Sequence, residues 1–298
     1  MLIALAVPVL CLAALTPQSA VDELLAADRA FSVASAQTDV VAGLSPMFAA
    51  DVMMPTPAGQ LADGKPAVVA ALRANADNAR SRIEWTPVRG GMSVDGQHGF
   101  TVGFMTLHLP DGTTTPLKYL SYWVVQPEGW RVAAYKRVRA AAAAPSLVMM
   151  PPALPDRILP PIADATVVAR FRQSLDQAER SFSDDAQKIG LGPAFEQYGS
   201  ADAINLGGAG SAGLVVGSEN IARLVAEGKP AAGSTLWWAP DKVLVASSGD
   251  LGYTFGVLER AAVGGTAPDS STYMHVWRRE ADKKWRLALI VETPLASK

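Results

Sequence analysis

The chain has 298 residues, of which 49% are hydrophobic and 18% charged, with a formal net charge of −2. That length suits two domains at roughly 100–200 residues each, and the composition excludes a disordered chain. With no run of Lys or Arg long enough to follow a phosphate backbone, nucleic acid is excluded as a partner.

Met1 to Leu15 carry no charged side chain, and the first acid is Asp22. The apolar stretch is shorter than the about 20 residues a bilayer-spanning helix needs. Thr16-Pro17-Gln18-Ser19-Ala20 follows it. This pattern predicts a signal peptide over 1–20, cleaved near Ala20. It implies a periplasmic or secreted protein with no stable membrane span after cleavage; an uncleaved anchor or a buried helix is the alternative. The single cysteine, Cys11, lies in this segment, so the mature chain would have neither disulfides nor thiol catalysis. His98, His108 and His275 do not stand at metal-ligand spacing, and neither a metal nor a cofactor is expected.

The next segment, 21–139, opens with an amphipathic helix. Leu24, Ala27, Phe31 and Ala34 share one of its faces. A short second helix leads to the apolar run Phe48–Met54, and Pro66 starts a third helix. Strands follow, and the last two are predicted as a hairpin, Leu120–Gln126 returning as Trp130–Arg137 through Pro127-Glu128-Gly129. From Ala140 to about Ala165 the sequence is Ala- and Pro-rich, which predicts a semi-rigid, extended linker. The segment 166–298 then repeats the pattern. Phe171, Leu175, Ala178, Phe182 and Ala186 line one helical face, an apolar run extends from Phe195 to Leu206, and Ser218 is placed to cap a helix. Tyr273–Arg279 and Trp285–Glu292 form the closing hairpin through Ala281-Asp282-Lys283. Helices first and antiparallel strands after them predict an α+β class.

The two segments are internal repeats. Ala27-Asp28-Arg29-Ala30-Phe31-Ser32 matches Ala178-Glu179-Arg180-Ser181-Phe182-Ser183, and Phe48 is matched to Phe195. Trp85-Thr86-Pro87 matches Trp238-Ala239-Pro240, and Gly99-Phe100-Thr101-Val102-Gly103 matches Gly252-Tyr253-Thr254-Phe255-Gly256. Tyr119 and Trp123 match Tyr273 and Trp277, and Trp130-Arg131 matches Trp285-Arg286. Ser248-Gly249-Asp250 leading into Leu251–Gly256, then Tyr273-x-x-x-Trp277 and Lys284-Trp285-Arg286, resembles the DUF4440 hallmark of the NTF2-like, SnoaL-like superfamily. Asp28-Arg29-Ala30-Phe31 and Phe48-Ala49-Ala50-Asp51 resemble the front half of the same pattern. The resemblance implies two tandem cone domains, each with N-terminal helices packed on a curved antiparallel sheet around a conical pocket. Some members of that superfamily are isomerases, cyclases or dehydratases, and others only bind or oligomerise.

Within this frame Glu179 and His275 are the candidate catalytic residues. Asp28 and Glu179 sit beside the apolar helix faces, where a carboxylate either finds a partner or shifts its pKa upward. The bland alternative is a structural bond, with Arg131 or Arg286 as the expected partners. Tyr273, His275 and Trp277 alternate onto one strand face. Copy one has Tyr119, Ser121 and Trp123 there, so the fold does not require the histidine. Tyr273, Trp237, Tyr253, Asp28 and Tyr119 are the candidate ligand-binding residues, with Trp238 the core residue of its pair. Asp250 is expected to bond its own turn, since Gln97 replaces it in copy one. Gly207–Gly213 lacks a following Lys and reads as a flexible loop near a pocket mouth rather than a phosphate loop. Two functions follow. One is binding of a small apolar molecule in the second cone, with isomerase- or lyase-like acid–base chemistry. The other is a non-catalytic interaction module in which the cones pair within one chain or form a homo-oligomer.

Overall fold

The computed structural model describes residues 16–56, 60–208, 210–227, 236–261 and 269–294. Of the expected signal peptide 1–20, residues 1–15 lie outside them. Helix α1 (Pro17–Ser35) starts on a capping box, in which the Thr16 side chain accepts from Ser19 N and the Ser19 side chain accepts from Thr16 N. Ala20 and Val21, which flank the expected cleavage point, are both buried inside this helix. Next come α2 (Val40–Leu44), β1 (Phe48–Pro55), β2 (Leu61–Asp63) and α3 (Lys65–Ala74). The meander β3 (Arg82–Met92), β4 (His98–His108), β5 (Thr114–Gln126) and β6 (Gly129–Arg139) completes the N-terminal unit.

The C-terminal unit repeats this order as α4 (Ala165–Ile189), α5 (Leu191–Tyr198), β7 (Gly199–Asn205), β8 (Val215–Val216), α6 (Ser218–Glu227), β9 (Leu236–Val245), β10 (Leu251–Arg260), β11 (Asp269–Arg279) and β12 (Trp285–Pro294). The sheet orders are β2-β1-β6-β5-β4-β3 and β8-β7-β12-β11-β10-β9, which is one topology used twice. The chain is α+β, with two cone units in tandem.

The sheets are not wholly antiparallel. β1 runs parallel to β6, and β7 parallel to β12. After β1 the chain crosses by way of α3 to the far edge at β3, and an antiparallel meander of four strands returns to β1 in the same direction. Sheet register also corrects one repeat match. Phe48 stands beside Val132 and Gly199 beside Leu287, so Phe48 corresponds to Gly199 rather than to Phe195. Phe195 belongs to α5, where its ring packs 5.0 Å from that of Phe182.

Three apolar cores result. One lies between α1 and the first sheet, around Leu24, Trp85, Tyr119 and Trp123. Another lies between α4 and the second sheet, around Leu175, Phe182, Trp238 and Trp277. The third joins the units: Phe100, Val102, Leu120 and Tyr122 of one sheet pack on Tyr253, Phe255, Met274 and Val276 of the other. The two sheets therefore pack face to face within one chain, with helices outside, and strand alternation sends successive residues to cone and interface in turn. The Pro-rich stretch docks on β3. Met150 N donates to Val88 O (2.7 Å), Ala153 N to Gly90 O (2.9 Å), and Met92 N to Ala153 O (3.0 Å).

Candidate functional site

Each cone is built around one buried carboxylate on its long helix. In the C-terminal unit, Glu179 of α4 accepts hydrogen bonds from Trp238 Nε1 (2.5 Å), Thr254 Oγ1 (2.5 Å) and Trp277 Nε1 (2.8 Å). These donors come from β9, β10 and β11, so one side chain ties the helix to three strands. His275 Nδ1 lies 3.0 Å from Oε1 and 3.2 Å from Oε2 of the same carboxylate. The positive charge that His275 offers, together with these bonds, outweighs desolvation and holds the Glu179 carboxyl below its ordinary range.

The N-terminal unit carries a reduced version. Asp28 of α1 accepts from Trp85 Nε1 (2.5 Å) and Tyr119 Oη (2.7 Å). Asp is one methylene shorter than Glu, and the indole of Trp123 donates to Thr101 Oγ1 (2.9 Å) rather than to the acid. Ser121 occupies the place of His275, since Thr101 pairs with Ser121 across β4–β5 as Thr254 pairs with His275 across β10–β11. With no imidazole there, burial dominates and pushes the Asp28 carboxyl upward.

The expected arginine partners are elsewhere. Arg131 Nη1 donates to Trp130 O (2.8 Å) and its guanidinium lies 5.7 Å from the Phe31 ring centroid. Arg286 pairs with Asp282 at 3.3 Å. Indole, phenol and hydroxyl donors replace them, because neutral donors satisfy a buried carboxylate without burying a second long, charged side chain.

Glu179, His275 and Tyr273 come together: the Tyr273 and His275 rings are 4.6 Å apart. Both residues are buried, yet His275 Nε2 and Tyr273 Oη have no hydrogen-bond partner among the described residues. Such orphaned atoms are uncommon and call for an explanation. Asp28 and Tyr119 meet in the other cone. Tyr253 faces the opposite way, in the core between the sheets, with its ring 4.9 Å from that of Tyr122. Its neighbour Thr254 takes the cone face and bonds Glu179. Trp237 is 48% exposed and Trp238 is buried, as adjacent strand residues must diverge.

Asp250 does not serve only its own turn. Its carboxylate accepts from Val94 N of the N-terminal unit (3.0 Å) and from Ser248 Oγ. Asp95 answers it by accepting from Ser247 Oγ (2.8 Å) and Ser248 N (3.2 Å). The glycine-rich loop also bridges the units, with the carbonyls of Gly208 (3.2 Å), Ser211 (2.8 Å) and Gly213 (3.4 Å) accepting from Lys118 Nζ.

Among the cavities that the described residues of the N-terminal unit form, two exceed 500 Å³. One of about 610 Å³ lies between α1, the β3–β5 edge and the linker, against Val33, Trp85, Met105, Leu117 and Leu147. The other, of about 570 Å³, lies where β6 runs past the end of β1, against Met54, Leu72, Tyr135 and Arg137. Among the described residues, no three His, Cys, Asp or Glu side chains converge as a metal site, and no helix is long and apolar enough to cross a membrane.

No protein-family model matches the sequence, and no curated protein is significantly similar to it. Solved structures are similar to parts of the chain. An NTF2-like protein with a cystatin-like fold from Novosphingobium aromaticivorans is 17% identical, covers 41% of this chain and 83% of its own, and has a TM-score of 0.33. An NTF2-like superfamily protein from Salmonella enterica is 18% identical, covering 46% of this chain and 96% of its own, with a TM-score of 0.33. A ketosteroid isomerase-like protein from Erwinia carotovora is 17% identical, covering 40% of this chain and 97% of its own, with a TM-score of 0.31.

Proposed function

We propose that this chain is an exported protein of the NTF2-like type, with paired DUF4440-like repeats. In this reading it binds a small apolar carbonyl compound in its C-terminal cone, over the Glu179–His275–Tyr273 cluster. The observation that carries the reading is the pair of buried, unpartnered atoms, His275 Nε2 and Tyr273 Oη. An unmade buried hydrogen bond costs about 1–3 kcal/mol, and a ligand carbonyl oxygen accepting from Tyr273 Oη would recover that loss while leaving Nε2 beside the adjacent carbon. Export rests on the uncharged apolar run Met1–Leu15.

The chemistry follows from the tautomer. Nδ1 is taken by the Glu179 carboxylate, so Nε2 is the nitrogen left to exchange a proton with a ligand. A carboxylate behind an imidazole orients the ring and stabilises its protonated form. With the Tyr273 hydroxyl donating to a carbonyl oxygen, Nε2 would shift a proton at the adjacent carbon. That is isomerase- or lyase-like acid–base work. The apolar walls supplied by Phe182, Trp238 and Trp277 fit such a ligand.

The test is a thermal-shift screen with small cyclic enones and aromatic ketones, on the parent chain and on Tyr273→Phe. A rise in melting temperature that Tyr273→Phe abolishes, in a variant as stable as the parent, supports the reading. A folded parent that no compound shifts would overturn it. The second reading, a non-catalytic interaction module, is favoured by the face-to-face core that already pairs the two sheets.

A further inference from the structure

The cavity of about 570 Å³ at the mouth of the N-terminal cone is separate from the Glu179 cluster. Its walls are apolar, with Met54, Leu72, Leu107, Leu117 and Val138 among them. Its free charged lining has one sign among the described residues: Arg137 and Arg139 border it, no Asp or Glu does, and Lys136 turns its amine to Thr272 of the other sheet. An apolar chamber ringed by cations alone selects an apolar ligand that carries a negative head.

Arg137 is the anchor. It lies on the same strand face as Tyr135, two residues along β6. Its Nη1 is buried with no hydrogen-bond partner, and Arg137 forms no salt bridge among the described residues. The Tyr135 hydroxyl reaches the guanidinium, but Nη1 stays unbonded, and a buried guanidinium nitrogen without a counter-charge is costly in a folded protein. Tyr135 beside it donates its hydroxyl to Met105 Sδ at 3.3 Å. A thioether is a weak acceptor, so an arriving carboxylate oxygen would readily recapture that donor. The fork of Arg137 matches the two oxygens of a carboxylate.

We infer that the N-terminal cone holds a second binding site, for an amphipathic carboxylate whose tail lies along Met54, Leu72 and Leu117 and whose head pairs with Arg137. The site does not depend on the chemistry proposed for the C-terminal cone. It uses none of Glu179, His275 or Tyr273, and its ligand class is different.

The experiment is titration calorimetry of the whole chain with decanoate, 1-decanol and decylamine, each below its self-association concentration, on the parent and on Arg137→Gln. Decanoate binding one per chain, at least tenfold tighter than either the alcohol or the amine, and weakened at least tenfold by Arg137→Gln, is the expected result. Tyr273→Phe should leave it unchanged, which separates this site from the C-terminal one. Equal binding of decanoate and decanol overturns the inference, as does undiminished binding by a folded Arg137→Gln variant. If that variant does not fold, methyl NMR of the parent decides. Decanoate must shift the Met54 and Leu72 methyl signals, and shifts confined to other methyls refute the site.

Discussion

His275 Nδ1 sits 3.0 Å from a carboxylate oxygen of Glu179, while the matching strand position opposite Asp28 holds Ser121. This one exchange sets the two buried acids against each other. The Glu179 carboxyl is held below its ordinary pKa by His275, and the Asp28 carboxyl is raised above it by burial.

The pH dependence follows with opposite signs. Glu179 contributes stability that is present above its unfolded pKa and lost as pH falls through the lower folded value. Asp28 contributes most when protonated, and that contribution is lost as pH rises through its raised folded value. At pH 7, Glu179→Gln removes the charged acceptor shared by Trp238, Thr254, Trp277 and His275 and should cost about 3–5 kcal/mol. Asp28→Asn removes a charge that burial already disfavours and should cost less, about 1–3 kcal/mol for the donor left unbonded. Urea denaturation of both variants at pH 7 and pH 4 checks this. The gap between them should narrow at pH 4. A larger loss for Asp28→Asn at pH 7 would contradict the assignment.

Tyr119 and Tyr273 occupy equivalent positions, opposite Gly103 and Gly256, but among the described residues only Tyr119 has a partner for its hydroxyl. Tyr119→Phe removes a bond to an acid and should cost about 1.5–3 kcal/mol. Tyr273→Phe removes an orphan and should be neutral, or stabilising by up to about 1 kcal/mol. The same denaturation measurement compares them. Equal losses would mean that Tyr273 is bonded within the protein, and would remove the main support for a C-terminal ligand site.

Gly103 and Gly256 repeat because two strands pass too closely for a side chain. A Cβ at Gly103 would lie 2.1 Å from Thr86 O, and one at Gly256 would lie 2.6 Å from Ala239 O. Both face register shifts, at Pro87–Arg89 and at Phe255–Gly256. The bulge pushes a backbone carbonyl toward the glycine. Substitution by Ala should cost about 1–3 kcal/mol or more at each place, the larger loss at Gly103, as read from thermal midpoints.

Much of this was legible in the sequence, and the reasons for what was not are physical. Trp85 with Trp238, Tyr119 with Tyr273, and Trp123 with Trp277 align correctly because each fills a fixed place in a core. Phe48 and Phe195 do not align, because α5 places its phenylalanine one helix turn before the strand. The acids were recognisable from their helix faces, but their partners were not. Charge reasoning points to Arg131 and Arg286, whereas the donors are indole N–H groups and a threonine hydroxyl that a hydrophobic pattern counts as strand filling. Thr101 and Thr254 already stood in matched positions of the repeat, and that was the available signal. The bridge from Asp250 to Val94 spans 156 positions, and no local pattern encodes a contact made only when two sheets dock.

Lys118 gives the docked arrangement its own titration signature. Its side chain is buried and its ammonium is held by three carbonyls of the glycine-rich loop. Burial pushes the amine down to about 8, whereas the ordinary value is 10.5. Between those values the unfolded chain keeps the proton and the folded chain has released it, so this group's contribution to stability rises with pH across the window. Lys118→Met removes the slope and leaves the loop carbonyls without their donor. Stability measured by urea from pH 7.5 to pH 10 should therefore rise less in Lys118→Met than in the parent. Limited proteolysis at neutral pH should cut the 207–213 loop faster in the variant, since the loop's tie to the other unit is gone. Identical slopes and identical cleavage would mean that Lys118 does not hold the loop in solution.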